Sequence, residues 1–186
     1  MAQNQTFLPQ KGNYKALIVY KKAECIYDIT HHFAHRFFEL GDRTIDQMVQ
    51  AARSGKQNIA EGCAAATTSS EAEIKLINVA KASLQELLVD YEDYLRVRGL
   101  EQWSEEDERH IRTRNLCKEH NDSEYYRAQL PNRSDETIAN VAIILIYQTD
   151  YLLFRLLERL KADFLQNGGV REQMTRARLS AREKGY

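Results

Sequence analysis

The sequence predicts an all-α fold built from four long helices, with a short helical insertion before the last of them and a basic C-terminal tail. Three observations predict it. The 186 residues include only 2 prolines, Pro9 and Pro131, both outside the periodic stretches, and only 8 glycines. Long helices are then favoured over a sandwich or barrel, which needs frequent turn residues. Apolar residues recur in steps of three and four through four long segments, the period of a helix with a buried stripe. Those segments are separated by residues that stop one helix and start the next. The length suits one sizeable domain. It is placed at residues 14–167, with a tail at 1–13, the insertion at 101–133 and a basic suffix at 168–186.

The first helix is expected from Tyr14 to Leu40. Ala16, Tyr20, Ala23, Tyr27, Thr30, Ala34 and Phe37 form one seam, and Val19, Ile26, Ile29 and Phe33 form a second stripe beside it. Two stripes exceed what a simple bundle core needs, so the surplus is expected to face another subunit. His31 and His35 have the i, i+4 spacing of a metal pair. A metal site needs further ligands and a second shell, and a solvated or hydrogen-bonded histidine face is the expected role. Gly41-Asp42 closes this helix, and Asp42 caps the next.

The second helix, to about Ala65, contains the stretch around which the chain is organised. Its seam of Ile45, Met48, Ala52, Gly55, Ile59, Gly62 and Ala66 consists mostly of small knobs, so another helix backbone can come close. Gly55 costs about 1 kcal/mol in a helix interior relative to alanine, and a tight crossing offsets that cost. Gln47, Ser54, Asn58 and Glu61 share a neighbouring face, and Ser83 and Glu86 offer a matching face downstream. These six residues are expected to form a structural polar network, because buried polar groups must be paired. Ser54-Gly55-Lys56 is not a phosphate loop. Gln50 stands where the first glycine belongs, Gln57 where Ser/Thr belongs, and no strand precedes it.

Thr67 to Ser70 reads as a polar turn, with Ser70 and Glu73 spaced as a capping box for the third helix. That helix runs to Arg98 through a seam of Ile77, Ala80, Leu84, Leu87, Tyr91 and Tyr94, and Gly99 stops it. In the insertion, Ser104 is expected to cap a short helix whose acidic first turn is Glu105, Glu106 and Asp107. Trp103 and Leu116 would pin that helix to the bundle. The fourth helix starts at Ser134 or Asp135 and continues through Asn167, about 50 Å. Its run Val141 to Tyr147 is apolar all round and is expected to be buried on two sides, by its own bundle and by a neighbour. Gly168-Gly169 ends it, and a short amphipathic helix through Val170, Met174 and Leu179 follows.

Gln47, Arg53-Ser54, Asn58-Ile59-Ala60-Glu61-Gly62 and Ala80-Lys81-Ala82-Ser83-Leu84-Gln85-Glu86-Leu87 carry a resemblance. Together they resemble the four-helix-bundle family named after proteins encoded in intervening sequences of large-subunit ribosomal RNA genes. They also resemble the related accessory variability protein of diversity-generating retroelements. The similarity covers about Leu17 to Arg98 and, more weakly, the helix after Glu136. It implies an up-and-down antiparallel four-helix bundle and, for several members, a pentameric ring. Most members have no assigned activity, and some are implicated in RNA binding. Phe164 to Arg182 resembles the C-terminal suffix of one subfamily, whereas Glu101 to Arg133 is longer than the connection in the short members.

The net charge of −1 gives no overall pull toward nucleic acid or membrane. The 3 cysteines lack paired or metal-type spacing and read as reduced cytoplasmic thiols. The N-terminus has no long apolar core for a signal peptide, and no uninterrupted apolar run reaches the ~20 residues of a membrane span. The first expectation for function is a non-enzymatic oligomeric scaffold or adaptor without cofactor or metal. The second is an RNA- or nucleic-acid-binding accessory protein. Its contacts would be Lys15, Lys21 and Lys22 on the first helix, Arg43, Arg53 and Lys56 on the second, and Arg171, Arg176, Arg178 and Arg182 in the tail. For an enzyme, only the carboxylates Glu61, Glu86 and Asp90 stand out, and no nucleophile with a nearby base accompanies them.

Overall fold

A computed structural model describes residues 13–183. Nearly all of the expected tail at 1–13 and the last three residues of the basic suffix lie outside the described residues. The described chain is all-helical. A 3-10 turn (Tyr14–Ala16) leads into α1 (Ile18–Phe37), α2 (Arg43–Ala65) and α3 (Ser70–Arg98). The insertion supplies α4 (Glu108–Glu119), α5 (Ser123–Arg127) and a second 3-10 turn (Leu130–Asn132). α6 (Asp135–Asn167) and α7 (Val170–Glu183) complete it.

α1, α2, α3 and α6 pack side by side in that order, and α6 returns to α1 to close an up-and-down antiparallel four-helix bundle. The register follows from paired positions. Gly55 faces Leu84 and Gly62 faces Ile77 across α2 and α3. Lys81 pairs with Asp150, while Tyr94 Oη donates to Asp135 Oδ2 at 3.0 Å, across α3 and α6. Lys22 meets Gln148 at 3.0 Å across α1 and α6. In the α2–α3 and α3–α6 pairs one number rises as the other falls, as antiparallel neighbours require.

The small-residue seam of α2 is buried as expected: Met48, Ala52, Gly55, Ile59 and Gly62 all lie in the core. A Cβ on Gly55 would sit 2.7 Å from Leu84 Cδ2, and one on Gly62 would sit 3.2 Å from Ile77 Cδ1. The whole α3 seam is buried too. At the α1 end of the bundle Tyr91 Oη donates to Thr30 Oγ1 at 3.0 Å, and Phe33 packs against the rings of Tyr91 and Tyr94.

Four boundary expectations shift. The first helix is interrupted at Leu17, whose backbone is extended, so α1 begins at Ile18. It ends at Phe37 rather than Leu40, because Phe38 turns back to put its ring edge-on to Phe33 and Tyr94. Ser69, not Ser70, caps α3, accepting from Ala72 N at 3.1 Å, and Glu73 turns into the protein instead of closing a capping box. Asp107, not Ser104, caps α4 by accepting from Arg109 N at 2.7 Å. Residues 104–107 form a turn closed by the Asp107 amide on the Ser104 carbonyl. The other limits stand: Asp42 caps α2, Ser134 caps α6, and Gly99 ends α3 in the left-handed region at φ +65°.

The insertion overturns one packing expectation. The second stripe of α1 and the apolar run of α6 are covered by this same chain rather than by a neighbour. α5 packs on α1 and α4 packs on α6. Tyr126 and Leu130 are buried there, and Ala142 to Ile146 are buried along α6. Polar clips hold the cover in place. Ser123 Oγ donates to Asp28, and Arg36 Nη1 donates to the Leu130 and Pro131 carbonyls at 3.1 and 3.0 Å. By length and composition the stretch beginning with α6 passes for a membrane span, yet 56 % of its most apolar window is buried in the bundle.

Replacing Gly55 with valine is expected to destabilise the protein by roughly 2 kcal/mol or more, since overpacking against Leu84 exceeds the gain in helix propensity. Urea denaturation followed by circular dichroism measures it; an unchanged midpoint would show that α2 and α3 are not in close contact.

Candidate functional site

The expected polar network contracts to three residues. Ser54 Oγ and Ser83 Oγ lie 2.9 Å apart, and Asn58 Nδ2 donates to the Ser54 carbonyl at 2.9 Å and to Ser54 Oγ at 3.1 Å. All three are half-buried at the α2–α3 edge. Gln47, Glu61 and Glu86 are exposed instead and make no hydrogen bond to this group. The register explains it. Gly55 lies opposite Leu84 and Gly62 opposite Ile77, so Glu61 and Glu86 are more than two turns apart. The carboxylates weighed as an acid–base cluster therefore do not converge. Only Glu86 and Asp90 remain neighbours, one turn apart on α3. Burial first, then the charges of Glu86 and Asp93, raises the Asp90 pKa.

The basic residues expected to contact nucleic acid divide. Lys15, Lys21, Arg43 and Arg53 are exposed. Lys56 is half-buried, with its ammonium 4.1 Å from the centre of the Tyr27 ring. On α7, Arg171, Arg178 and Arg182 are exposed, while Arg176 reaches the Asn167 carbonyl at 2.6 Å and lies 3.8 Å from Glu172. Lys22 is a correction. It is 4 % exposed and does not project from the surface toward a nucleic-acid backbone, because its ammonium is held inside by the Cys117 carbonyl and Gln148 Oε1. Burial lowers its pKa. A signal for this was in the sequence: Lys22 falls between Val19 and Ile26 on the period of the second α1 stripe itself.

His31 and His35 stack at 4.3 Å, and His35 Nδ1 bonds the His31 carbonyl at 2.8 Å. Among the described residues no group of three or more His, Cys, Asp or Glu is placed to hold a metal. The thiols of Cys25 and Cys117 are buried; burial pushes Cys25 up to about 12 and raises Cys117 as well.

A large concave feature is built by the insertion. Asn140, buried one turn into α6, accepts from the Trp103 amide at 2.8 Å and donates to the Glu101 and Glu136 carbonyls at 2.8 and 2.9 Å. This pins residues 101–103 onto α6 and buries Trp103, with the Arg109 guanidinium 5.1 Å from the centre of its ring. Gln148 Nε2 donates to the Arg114 carbonyl at 2.9 Å, holding α4 near the middle of α6. Between α4 and the α1–α6 pair a groove of about 900 Å³ stays open. Ile18, Ile144, Tyr147, Tyr151 and Leu152 form apolar walls, and Lys22, His110, Arg114 and Lys118 supply its basic lining. Sequence reasoning did not find it, because its two sides lie in segments far apart in the chain. Asn140, a lone amide opening an apolar run, was the one visible sign.

No protein-family model, curated protein or solved structure matches the chain.

Asn140→Ala is expected to cost about 2–3 kcal/mol, since it strands the Trp103 amide and the Glu101 carbonyl. The emission of Trp103, the single tryptophan, should shift to the red before global unfolding. A thiol reagent should label Cys63 in the native protein and reach Cys25 and Cys117 only at the rate of global unfolding, which mass spectrometry of timed samples measures.

Proposed function

We propose that the protein is a non-enzymatic, cofactor-free helical-bundle scaffold that works in the cytoplasm as a homo-oligomer. The observation that carries this is an apolar ridge left on the outside of α6. Tyr147, Tyr151 and Phe154 follow one face of α6 at 50, 59 and 49 % exposure, and Ile18 of α1 is 54 % exposed. Isolated exposed apolar side chains are ordinary, but an aromatic row at helical spacing marks a contact surface. The resemblance to the intervening-sequence family supports a ring of five. The buried thiols of Cys25 and Cys117 agree with a reducing compartment.

A second reading, RNA binding, is favoured by the exposed arginines of α7 and by Lys15, Lys21, Arg43 and Arg53. Repetition around an oligomer would strengthen such weak patches. Their affinity would fall steeply with salt, and retardation of structured RNA at low salt tests it.

Phe154→Glu, alone or with Tyr151→Glu, is expected to convert the native complex to monomers while leaving helix content unchanged, since neither side chain lies in the core. Light scattering at high protein concentration measures the mass. A wild-type protein that runs as a monomer there would remove the assembly reading.

A further inference from the structure

We propose that the groove between α4 and the α1–α6 pair binds an organic anion with an apolar body, such as an alkyl carboxylate. The proposal goes beyond self-assembly, and the two surfaces share Ile18, Tyr147 and Tyr151. The groove's volume of about 900 Å³ is that of a small-molecule pocket. Its walls suit an apolar chain or ring, since Ile18, Leu152, Tyr147 and Tyr151 all line it.

The charge lining it is mainly positive, although Glu92 lies just outside the lining and accepts from Tyr147 Oη at 3.1 Å. His110, Arg114 and Lys118 succeed one another at four-residue steps along α4, so one face of that helix presents all three to the groove. Glu105 is the one acidic side chain in the lining. Deeper in, Lys22 is buried, and its hydrogen-bond partners are two neutral oxygens. An ammonium has a third proton to give, and among the described residues no carboxylate lies within ion-pair distance of Lys22. A buried cation without a counter-ion is costly, and an anionic head group in the groove offsets that cost. Two further polar atoms in the lining residues lack partners: the donor Trp103 Nε1, on a side chain 8 % exposed, and the acceptor Asn121 Oδ1.

The test uses the full chain and Trp103 as the reporter. Dodecanoate is titrated against tryptophan emission, beside dodecyltrimethylammonium as the cationic counterpart. Dodecanoate is expected to give a saturable shift that weakens with added salt, and the cation a much weaker one. Arg114→Glu with Lys118→Glu changes only exposed side chains, and should weaken dodecanoate at least tenfold with unchanged circular dichroism. Lys22→Met should weaken it as well. No saturable shift, an equal response to the cationic amphiphile, or full affinity in the Arg114/Lys118 double variant would overturn the proposal. Ile18, Tyr147 and Tyr151 belong to both the groove and the exposed ridge, but Phe154 lies outside the lining, so anion binding that survives Phe154→Glu shows that the groove binds without assembly.

Discussion

The close approach of α2 and α3 governs the rest of the fold. Leu84 and Ile77 sit where side chains on Gly55 and Gly62 would otherwise project, so the two helices have one register available to them. That register joins Ser54 to Ser83 and orients α3 so that Lys81 and Gln85 reach Asp150 while Tyr94 reaches Asp135. α6 is thereby fixed against α3, and α1 fills the remaining side. Exposed ion pairs of the Lys161–Glu158 type contribute well under 1 kcal/mol by comparison.

The insertion performs the second task. A bare four-helix bundle with this sequence would leave an apolar stripe of α1 and much of Val141 to Tyr147 uncovered. α4, α5 and the loop held by Asn140 cover that surface and are fastened mainly through backbone carbonyls. Arg36, Lys22 and Gln148 each donate to a carbonyl of the insertion. Coverage is incomplete, however, and the space left beside α4 is lined by cations and apolar side chains together.

Much of the fold was legible in the sequence. The small-residue seam, the α3 seam, and the caps at Asp42, Ser134 and Gly99 all follow from spacing and turn chemistry, which are local. Errors arose where a distant segment decided the outcome. Lys22 reads as a surface cation until Cys117 and Gln148 are placed over it. The α1 stripe reads as an intersubunit face until α3 and the insertion are packed around that helix. Glu61 and Glu86 share a helical period with Asn58 and Ser83, but the period does not give the vertical offset between antiparallel helices. The groove was the least legible part, since periodicity describes one helix at a time and a cleft belongs to three.

The clips between α1 and the insertion carry a consequence for how the chain is made. Asp28 and Ser123, and Lys22 and Cys117, are 95 residues apart, and Arg36 and Leu130 are 94 apart. α2 and α3, joined by a short turn, dock as soon as both have left the ribosome. The first helix emerges before the others described, yet the face clipped to the insertion waits through nearly a hundred further residues of translation for its cover. Closing so long a loop is entropically slow, so during synthesis this helix is the segment that a chaperone would have reason to hold.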